Sequence, residues 1–415
     1  MTRRVLHLGL GAFHRAHQAP YIQDAGGWEI TAVSMRTPRL ARQLAAQGHR
    51  YTLITRASDG PKLAPIDVIT RTIALNADRA SVVESIADPN THAITLTVTE
   101  KGYGPDLAHL LCDGLSARQA AWAGPMTLLS CDNLPSNGDA LRRLVTSAAP
   151  APLAAWMDAA CAFPSSMVDR ITPAPSETTI VDAGGDLCAV ETEPFRQWVI
   201  EDRFAGPVPD WASAGAILVR DVTPYEAMKL RMLNGAHSLI AYLGALRDHE
   251  CVRDAMADPM IAAEVRTHMD AAAQTLPPVP KIDLRTYADD LIDRFANPAI
   301  AHRCLQIAMD GSQKLPQRIF APARVALDRS QALDPFALAI AAWVIFTKGH
   351  SLSGAPLPLD DPLAPLLRTA TAAKDAAERL DNLGRLEGLQ DDGMLLEPAF
   401  RAAIMRAEAR LMTKD

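Results

Sequence analysis

The sequence predicts an α/β protein in two parts, a parallel sheet with helices on both faces followed by a mainly α-helical domain. Three observations point there. Short β-branched runs alternate with helix-compatible stretches up to about residue 221. From about residue 222 helical periodicity takes over, interrupted by proline-rich breaks. The 415 residues are 48% hydrophobic and 21% charged, values of an ordinary globular chain long enough for more than one core. The expected domains are residues 1–221 and 222–415.

The elements follow in order. Val5-Leu6-His7-Leu8-Gly9-Leu10-Gly11 reads as a strand entering a glycine turn. Trp28–Met35, Ala93–Thr99 and Met126–Ser130 read as further strands, with helices expected over Arg39–Ala46, Arg79–Ile86 and Gly138–Ser147. Phe195–Ile200 and Ala216–Val219 look like extra strands of the first domain. In the second, helices are expected over Pro224–Leu246, Met260–Ala273, Tyr287–Phe295, Ala299–Met309, Pro335–Phe346 and Glu397–Thr413. Breaks fall at Leu276–Pro280 and Gly354–Pro365.

Charge and cysteine usage narrow the function. With 41 Lys+Arg against 48 Asp+Glu the net charge is -7, so no basic surplus exists for a phosphate backbone and nucleic acid is not expected as a partner. The six cysteines form no C-x-x-C pair, which excludes zinc knuckles and thioredoxin-like motifs. No apolar run reaches membrane-spanning length and the N-terminal one is too short for a signal peptide, so neither membrane nor export is expected. A cytoplasmic location is the simplest expectation. His14 and His17 are spaced i, i+3 but have no third ligand nearby in sequence, so no metal is expected.

Two segments carry chemistry. In Gly9-Leu10-Gly11-Ala12-Phe13-His14 the first glycine suits a tight turn and the second the close approach of a pyrophosphate, although the third usual glycine is replaced by His14. The second strand ends Val33-Ser34-Met35-Arg36-Thr37, with no carboxylate for ribose hydroxyls. Ser34 and Arg36 could meet a 2′-phosphate, so NAD and NADP both stay open. In the second segment, Thr223 and Glu226 are spaced as a capping box, with Pro224 at the first helical position. At about 100° per residue, Glu226, Lys229, Asn234 and His237 share an arc of about 140° with Leu230, Leu233 and Ile240. Apolar neighbours imply partial burial, and a desolvated lysine has a lowered pKa suited to a general base. Asn and His beside it can donate to an oxygen gaining negative charge. The same stripe also fits a solvated helix face.

The sequence resembles the mannitol dehydrogenase and fructuronate reductase family of long-chain dehydrogenases. The resemblance rests on His7-Leu-Gly-Leu-Gly-Ala-Phe-His-Arg-Ala-His17, Thr95-Leu-Thr-Val-Thr-Glu-Lys-Gly-Tyr103 and Ser130-Cys-Asp-Asn-Leu-Pro-Ser-Asn-Gly138. It continues through Phe163–Pro173, Glu193–Asp202, Thr223–His237 and Ile307–Pro316. It implies a metal-independent NAD(P)-dependent oxidoreductase acting on a secondary alcohol. A Rossmann-type N-terminal domain and a helical C-terminal domain would have the site between them. By motif match, Lys229 would be the base, Asn133 and Asn234 would bond the substrate oxygen, His237 would orient it and Glu226 would lie in the proton path. Thr99, Glu100, Val168 and Asp169 would line the cofactor side, with Gly9, Leu10, Gly11, Ala12, Phe13 and His14 forming its turn. NAD is favoured as cofactor, and a monomer as the working state.

The segments around Tyr103 and Gln306–Arg318 look closer to fructuronate reductases, which points to a sugar acid rather than a polyol of the mannitol or arabinitol type. A carboxylate substrate wants a cation. Lys314 and Arg303 are the leading candidates, with Arg170, Arg196 and Arg318 behind them. A cofactor-binding sensor without turnover is the alternative of a different class, and Lys229, Asn234 and His237 argue against it.

Overall fold

The computed structural model describes residues 2–389 and 393–413. The chain divides into two compact units, residues 1–225 and 226–415. In the first, among the described residues, six parallel strands make one sheet. Their order across it is Ile69–Ala74, Trp28–Ser34, Arg3–Leu8, Thr91–Leu96, Met126–Ser130 and Cys161–Ala162. Alternation along each strand explains the two cores. Val5, Ile30, Ala93 and Leu129 face one side, where Tyr21, Ile22 and Leu44 cover them. Leu6, Leu8, Val33, Ile94, Leu96 and Leu128 face the other, under Val82, Ile86, Leu110, Leu111, Leu141 and Val145. Burial on both faces is what makes these strands read as near-continuous apolar runs. Each large side chain so buried contributes roughly 1.5–3 kcal/mol.

The strand order reverses at the first strand. Its neighbours on either side are Trp28–Ser34 and Thr91–Leu96. Beyond the carboxyl ends of such strands a crevice opens where doubly wound sheets bind dinucleotides.

Two smaller sheets were not read from the sequence as sheets. Tyr51–Ala57 and Gly60–Ile66 form an antiparallel hairpin, and Val190–Thr192 pairs with the hairpin's first strand. The strands expected near Phe195 and Ala216 form at Gln197–Glu201 and Ile217–Val219. With Ser166–Asp169 they make a separate three-stranded sheet among the described residues, rather than extending the main one.

The second unit is mainly helical. Gly235–Leu246 is buried at every position and Asp334–Phe346 at nearly every one, so these two helices form its centre. Pro398–Met412 packs on the latter. The expected helix over Ala299–Met309 forms only at Cys304–Ala308. Before it, Arg303 pairs with Cys251 in a β-bridge and the Cys304 N–H donates to the Glu250 carbonyl, at 2.9 Å, so tertiary pairing overrides the helical pattern. The long helix expected over Pro224–Leu246 is continuous but not uniform. Thr223–Met228 is α-helical, Lys229–Asn234 is a π-helical turn, and Gly235–Leu246 is α-helical again.

Candidate active site

The glycine turn is built by contact. Gly9 has φ +112°, and a side chain there would meet the Thr97 carbonyl oxygen at 2.1 Å, so only glycine lets the first strand's end lie against Thr97. Gly11 ends the turn and precedes the short helix Ala12–Ala16. Around the place its side chain would occupy, only the Gly9 carbonyl comes within 4 Å. That open backbone fits the approach of a pyrophosphate, as the dinucleotide reading requires.

Leu10 is buried in the core, Ala12 and Phe13 are half-buried, and Phe13 stacks on His17 with ring centres 5.0 Å apart. His14 is fully buried and stacks on His7 at 3.4 Å, and neither of its ring nitrogens has a hydrogen-bond partner among the described residues. Burial, with His7 beside it, pushes the His14 imidazole well below its usual value. His7 is held by Thr95, by Thr97 and by the Gly9 carbonyl, and burial brings it down to about 3. These rings form a neutral packed stack beside the turn.

The other expected cofactor residues distribute along the same unit. Ser34 ends the second strand, and its hydroxyl donates to the Thr37 carbonyl at 2.6 Å, while Arg36 beyond it is exposed. Thr99 and Glu100 are exposed just beyond the strand Thr91–Leu96, and Asn133 is exposed beyond Met126–Ser130. All of these follow carboxyl ends of parallel strands. Val168 and Asp169 are buried in the smaller sheet, where Val168 shares a core with Leu10 and Ala16.

Sequence reasoning missed Asp132. Its carboxylate is 6% exposed and accepts the Thr99 N–H at 2.7 Å, the Val98 N–H at 3.2 Å and the Tyr103 hydroxyl at 3.2 Å. The Tyr103 and Ser130 hydroxyls lie 2.5 Å apart. The residues sat inside two quoted motifs, but nothing in their spacing shows that they meet.

The helical segment 223–246 carries the other candidate residues. The Asp221 carboxylate accepts the Thr223 N–H at 2.9 Å at the helix start. Glu226 and Lys229 are half-buried, while Asn234 and His237 are buried. The π turn runs from Lys229 to Asn234, and its i to i+5 bonding sets these two side chains closer to one line than a regular α-helix would. A second π turn, Pro316–Phe320, packs against the first. Arg318 of that turn donates to the Ser238 hydroxyl at 3.1 Å and reaches the Asn234 carbonyl at 3.5 Å. Gly235 makes this approach feasible, since a side chain there would lie 2.7 Å from His268 Nε2 and 3.2 Å from the Arg318 carbonyl.

His237 packs against Phe295 at 4.5 Å and edge-on to His302 at 5.4 Å. Its Nε2 has no hydrogen-bond partner among the described residues. Burial pushes this imidazole well below its usual value, and the charges of His302, Arg294, Arg318 and Lys229 push the same way. Sequence reading did not single out Phe295, His302 or Arg294.

The cations expected at a substrate carboxylate fall in different places. Lys314 is half-buried and donates to the Met309 carbonyl at 2.6 Å. Arg303 is exposed and lies 3.5 Å from Glu250. Arg170 is buried against the carbonyls of Glu193 and Ala16, and Arg196 pairs with Asp24 at 2.7 Å, so both are structural. Of these five, Arg318 is hydrogen-bonded directly to the Asn234–Ser238 stretch. Among the described residues, no cluster of His, Cys, Asp and Glu could hold a metal ion, and no helix is long and apolar enough to cross a membrane.

Comparison with known proteins agrees with this anatomy. Residues 3–213 match the mannitol dehydrogenase Rossmann domain and residues 221–404 the mannitol dehydrogenase C-terminal domain. The chain is 37% identical to the uncharacterized oxidoreductase YeiQ of Escherichia coli K12, over 98% of this chain and 92% of that protein. It is 35% identical to D-mannonate oxidoreductase of the same organism, over 99% of this chain and 93% of the relative. Among solved structures, Pseudomonas fluorescens mannitol 2-dehydrogenase, in a ternary complex with NAD and D-mannitol, superposes with a TM-score of 0.86. It shares 32% identity, with 99% of this chain and 92% of that one covered. Both domain matches and these identities show that the chain is a member of the mannitol dehydrogenase family of oxidoreductases.

Proposed function

We propose that the protein interconverts a secondary alcohol and a ketone on an open-chain sugar acid of the D-mannonate/D-fructuronate type, with NAD(H) as the preferred cofactor. The observation that carries the acid reading is the charge around His237. Lys229, Arg294 and Arg318 all act on it with positive sign, an environment that favours an anionic substrate. The similarity to D-mannonate oxidoreductase supports the same substrate class.

The nicotinamide, when bound, supplies the hydride acceptor or donor. Gly9, Gly11 and the first turn of Ala12–Ala16 hold the pyrophosphate on bare backbone, with Thr99 and Glu100 at the nicotinamide side. Lys229 Nζ removes the hydroxyl proton during oxidation and returns it during reduction. The Asn234 and Asn133 amides donate to the oxygen, stabilising negative charge as it develops. His237, neutral and fixed by Phe295 and His302, orients that oxygen. Glu226, one helical turn before Lys229, passes the proton towards water.

The test is a substrate panel followed at the NADH absorbance band. Because a charge-assisted contact to a carboxylate contributes about 1.5–3 kcal/mol, kcat/KM for fructuronate or mannonate is expected to exceed that for fructose or mannitol by about tenfold to a hundredfold. Comparable values for the acid and its uncharged counterpart would promote a polyol of the mannitol type, the substrate in the related ternary complex. Cofactor binding without turnover on any member of the panel would favour the sensor.

Cofactor choice has its own test. Arg36 is exposed beyond the second strand while the Ser34 hydroxyl is occupied by Thr37. Arg36→Asp is expected to lower kcat/KM for NADP(H) by about tenfold or more, with NAD(H) changing far less, because only NADP carries the 2′-phosphate. Equal losses would show that Arg36 does not approach the ribose.

A further inference from the structure

The turn that carries Thr99 and Glu100 is held in an unfavourable state. Thr99 is β-branched yet sits at φ +66°, a left-handed conformation worth roughly 1–3 kcal/mol of strain for such a residue. Its N–H and that of Val98 both end on the Asp132 carboxylate, and the Tyr103 hydroxyl closes the other end of the turn on the same group. Tyr103 is tied in addition to Ser130, at the end of the strand that leads into Asp132 and Asn133. A carboxylate that is 6% exposed, with Glu100 as a nearby like charge, is an expensive way to hold a loop. Strain and a buried charge coincide at the carboxyl edge of the sheet, on the two strand ends that carry Thr99 and Asn133.

We propose that Asp132 is a positioning residue, whose carboxylate locks the Val98–Tyr103 turn to the strand end bearing Asn133 and thereby sets Thr99, Glu100 and Asn133 around the bound dinucleotide and substrate. This rests on the dinucleotide reading of the same edge. Asp132 acts through the turn and through Asn133.

The device responds to pH. Burial raises the Asp132 carboxyl to about 6, against the pull of the Thr99 and Val98 N–H groups and the Tyr103 hydroxyl, and Glu100 adds to the rise. The buried Cys131 thiol, itself pushed up, stays neutral beside it. A carboxyl raised above its unfolded value stabilises the fold below that unfolded value, and the contribution is lost as pH rises through about 6. At neutral pH the ionised Asp132 therefore opposes folding while it accepts the turn's N–H groups. Asp132→Asn removes the charge and is expected to leave Tm within about 3 °C of wild type, the reverse of a residue kept for stability alone.

The experiment combines amide hydrogen exchange on the cofactor-free protein with NADH titration by fluorescence from pH 6 to pH 8. In Asp132→Asn, exchange in the 97–103 segment is expected to be about tenfold faster, as for loss of a hydrogen bond to a charged group, with the Arg3–Leu8 strand unchanged. The Kd for NADH at pH 7.5 should rise about tenfold on the same basis. Wild-type Kd should begin to weaken towards that of the variant as pH approaches about 6, while the variant's own profile stays flat over this range. Tyr103→Phe, which keeps the carboxylate, should show a smaller loss with the pH dependence retained. Unchanged exchange in 97–103 would overturn the lock. Faster exchange with wild-type Kd and pH profile would overturn the positioning role. A wild-type protein that fails to bind NADH would overturn the dinucleotide reading, and this proposal with it.

Discussion

Lys229→Met is expected to lower kcat in both directions by about 10²–10⁴, the range general acid–base catalysis supplies. The side chain starts the π turn, half-buried, close enough to His237 for its charge to act there. Methionine keeps similar bulk, so the burial of Met228 and Met232 on the same helix should survive, and NADH affinity, proposed to reside in the first unit, should be largely unchanged. Oxidation requires the neutral amine and reduction the ammonium. Wild-type oxidation should therefore rise with pH through the lysine's pKa, and reduction should fall. The measurement is kcat in both directions against pH, for wild type and variant. A variant retaining more than about a tenth of wild-type kcat, with its pH profile unchanged, would remove Lys229 from the chemistry.

Mild acid is expected to unfold the first unit steeply. His7 and His17 are held down to about 3 by burial, and His14 well below its usual value by burial beside His7. In the unfolded chain all three titrate near 6.5. Their folded values are depressed, so below 6.5 the unfolded state binds more protons. The stability is intact above pH 6.5 and drains as pH falls from there towards 3. At about 1.4 kcal/mol per proton and pH unit, three such groups remove roughly 4 kcal/mol per unit once each is charged in the unfolded chain. Most carboxylates titrate below about pH 4.5, and Asp132, raised to about 6, works the other way and offsets about one of the three histidines below that value. Urea midpoints measured from pH 8 to pH 4.5 should be level at first and then fall sharply below about pH 6. A midpoint unchanged between pH 7 and pH 5 would show that these rings are not buried neutral.

The four central strands of the main sheet were legible because they are buried on both faces and so read as apolar, β-branched runs, whereas its edge strands Ile69–Ala74 and Cys161–Ala162, partly exposed, were not read. The hairpin at Tyr51–Ile66 was not. Most of its second strand is exposed and it contains Pro61 and Pro65, so it lacks both alternation and β-propensity. The one available signal was Asp59-Gly60, a dipeptide favoured at hairpin turns. In the second unit, a uniform helical period placed Lys229, Asn234 and His237 on one face but could not register the π turn between them. Arg318 lies 84 residues from Asn234 in sequence, and that contact, like Asp132 meeting Thr99 and Tyr103, exists only once the chain is folded. Residue types at the site are readable from motifs, whereas burial and the contacts that fix each group are set by tertiary packing.

The π turn also bears on how the sequence can change. It amounts to one extra residue absorbed inside a helix instead of being looped out, so it is a matter of counting rather than of side-chain identity. Deleting a residue within it, such as Met232, would let the backbone close as regular α-helix. Both flanking helices could remain, and because four α steps bring Lys229 and Asn234 back to nearly the same direction as the five steps of the π turn, the two side chains would stay about in line. Such a chain would keep every reactive side chain and, within a small twist, their alignment. In a sequence alignment across this segment, a single gap between Lys229 and Asn234 is therefore compatible with an intact face, whereas a gap in the regular helix on either side would turn it by about 100°.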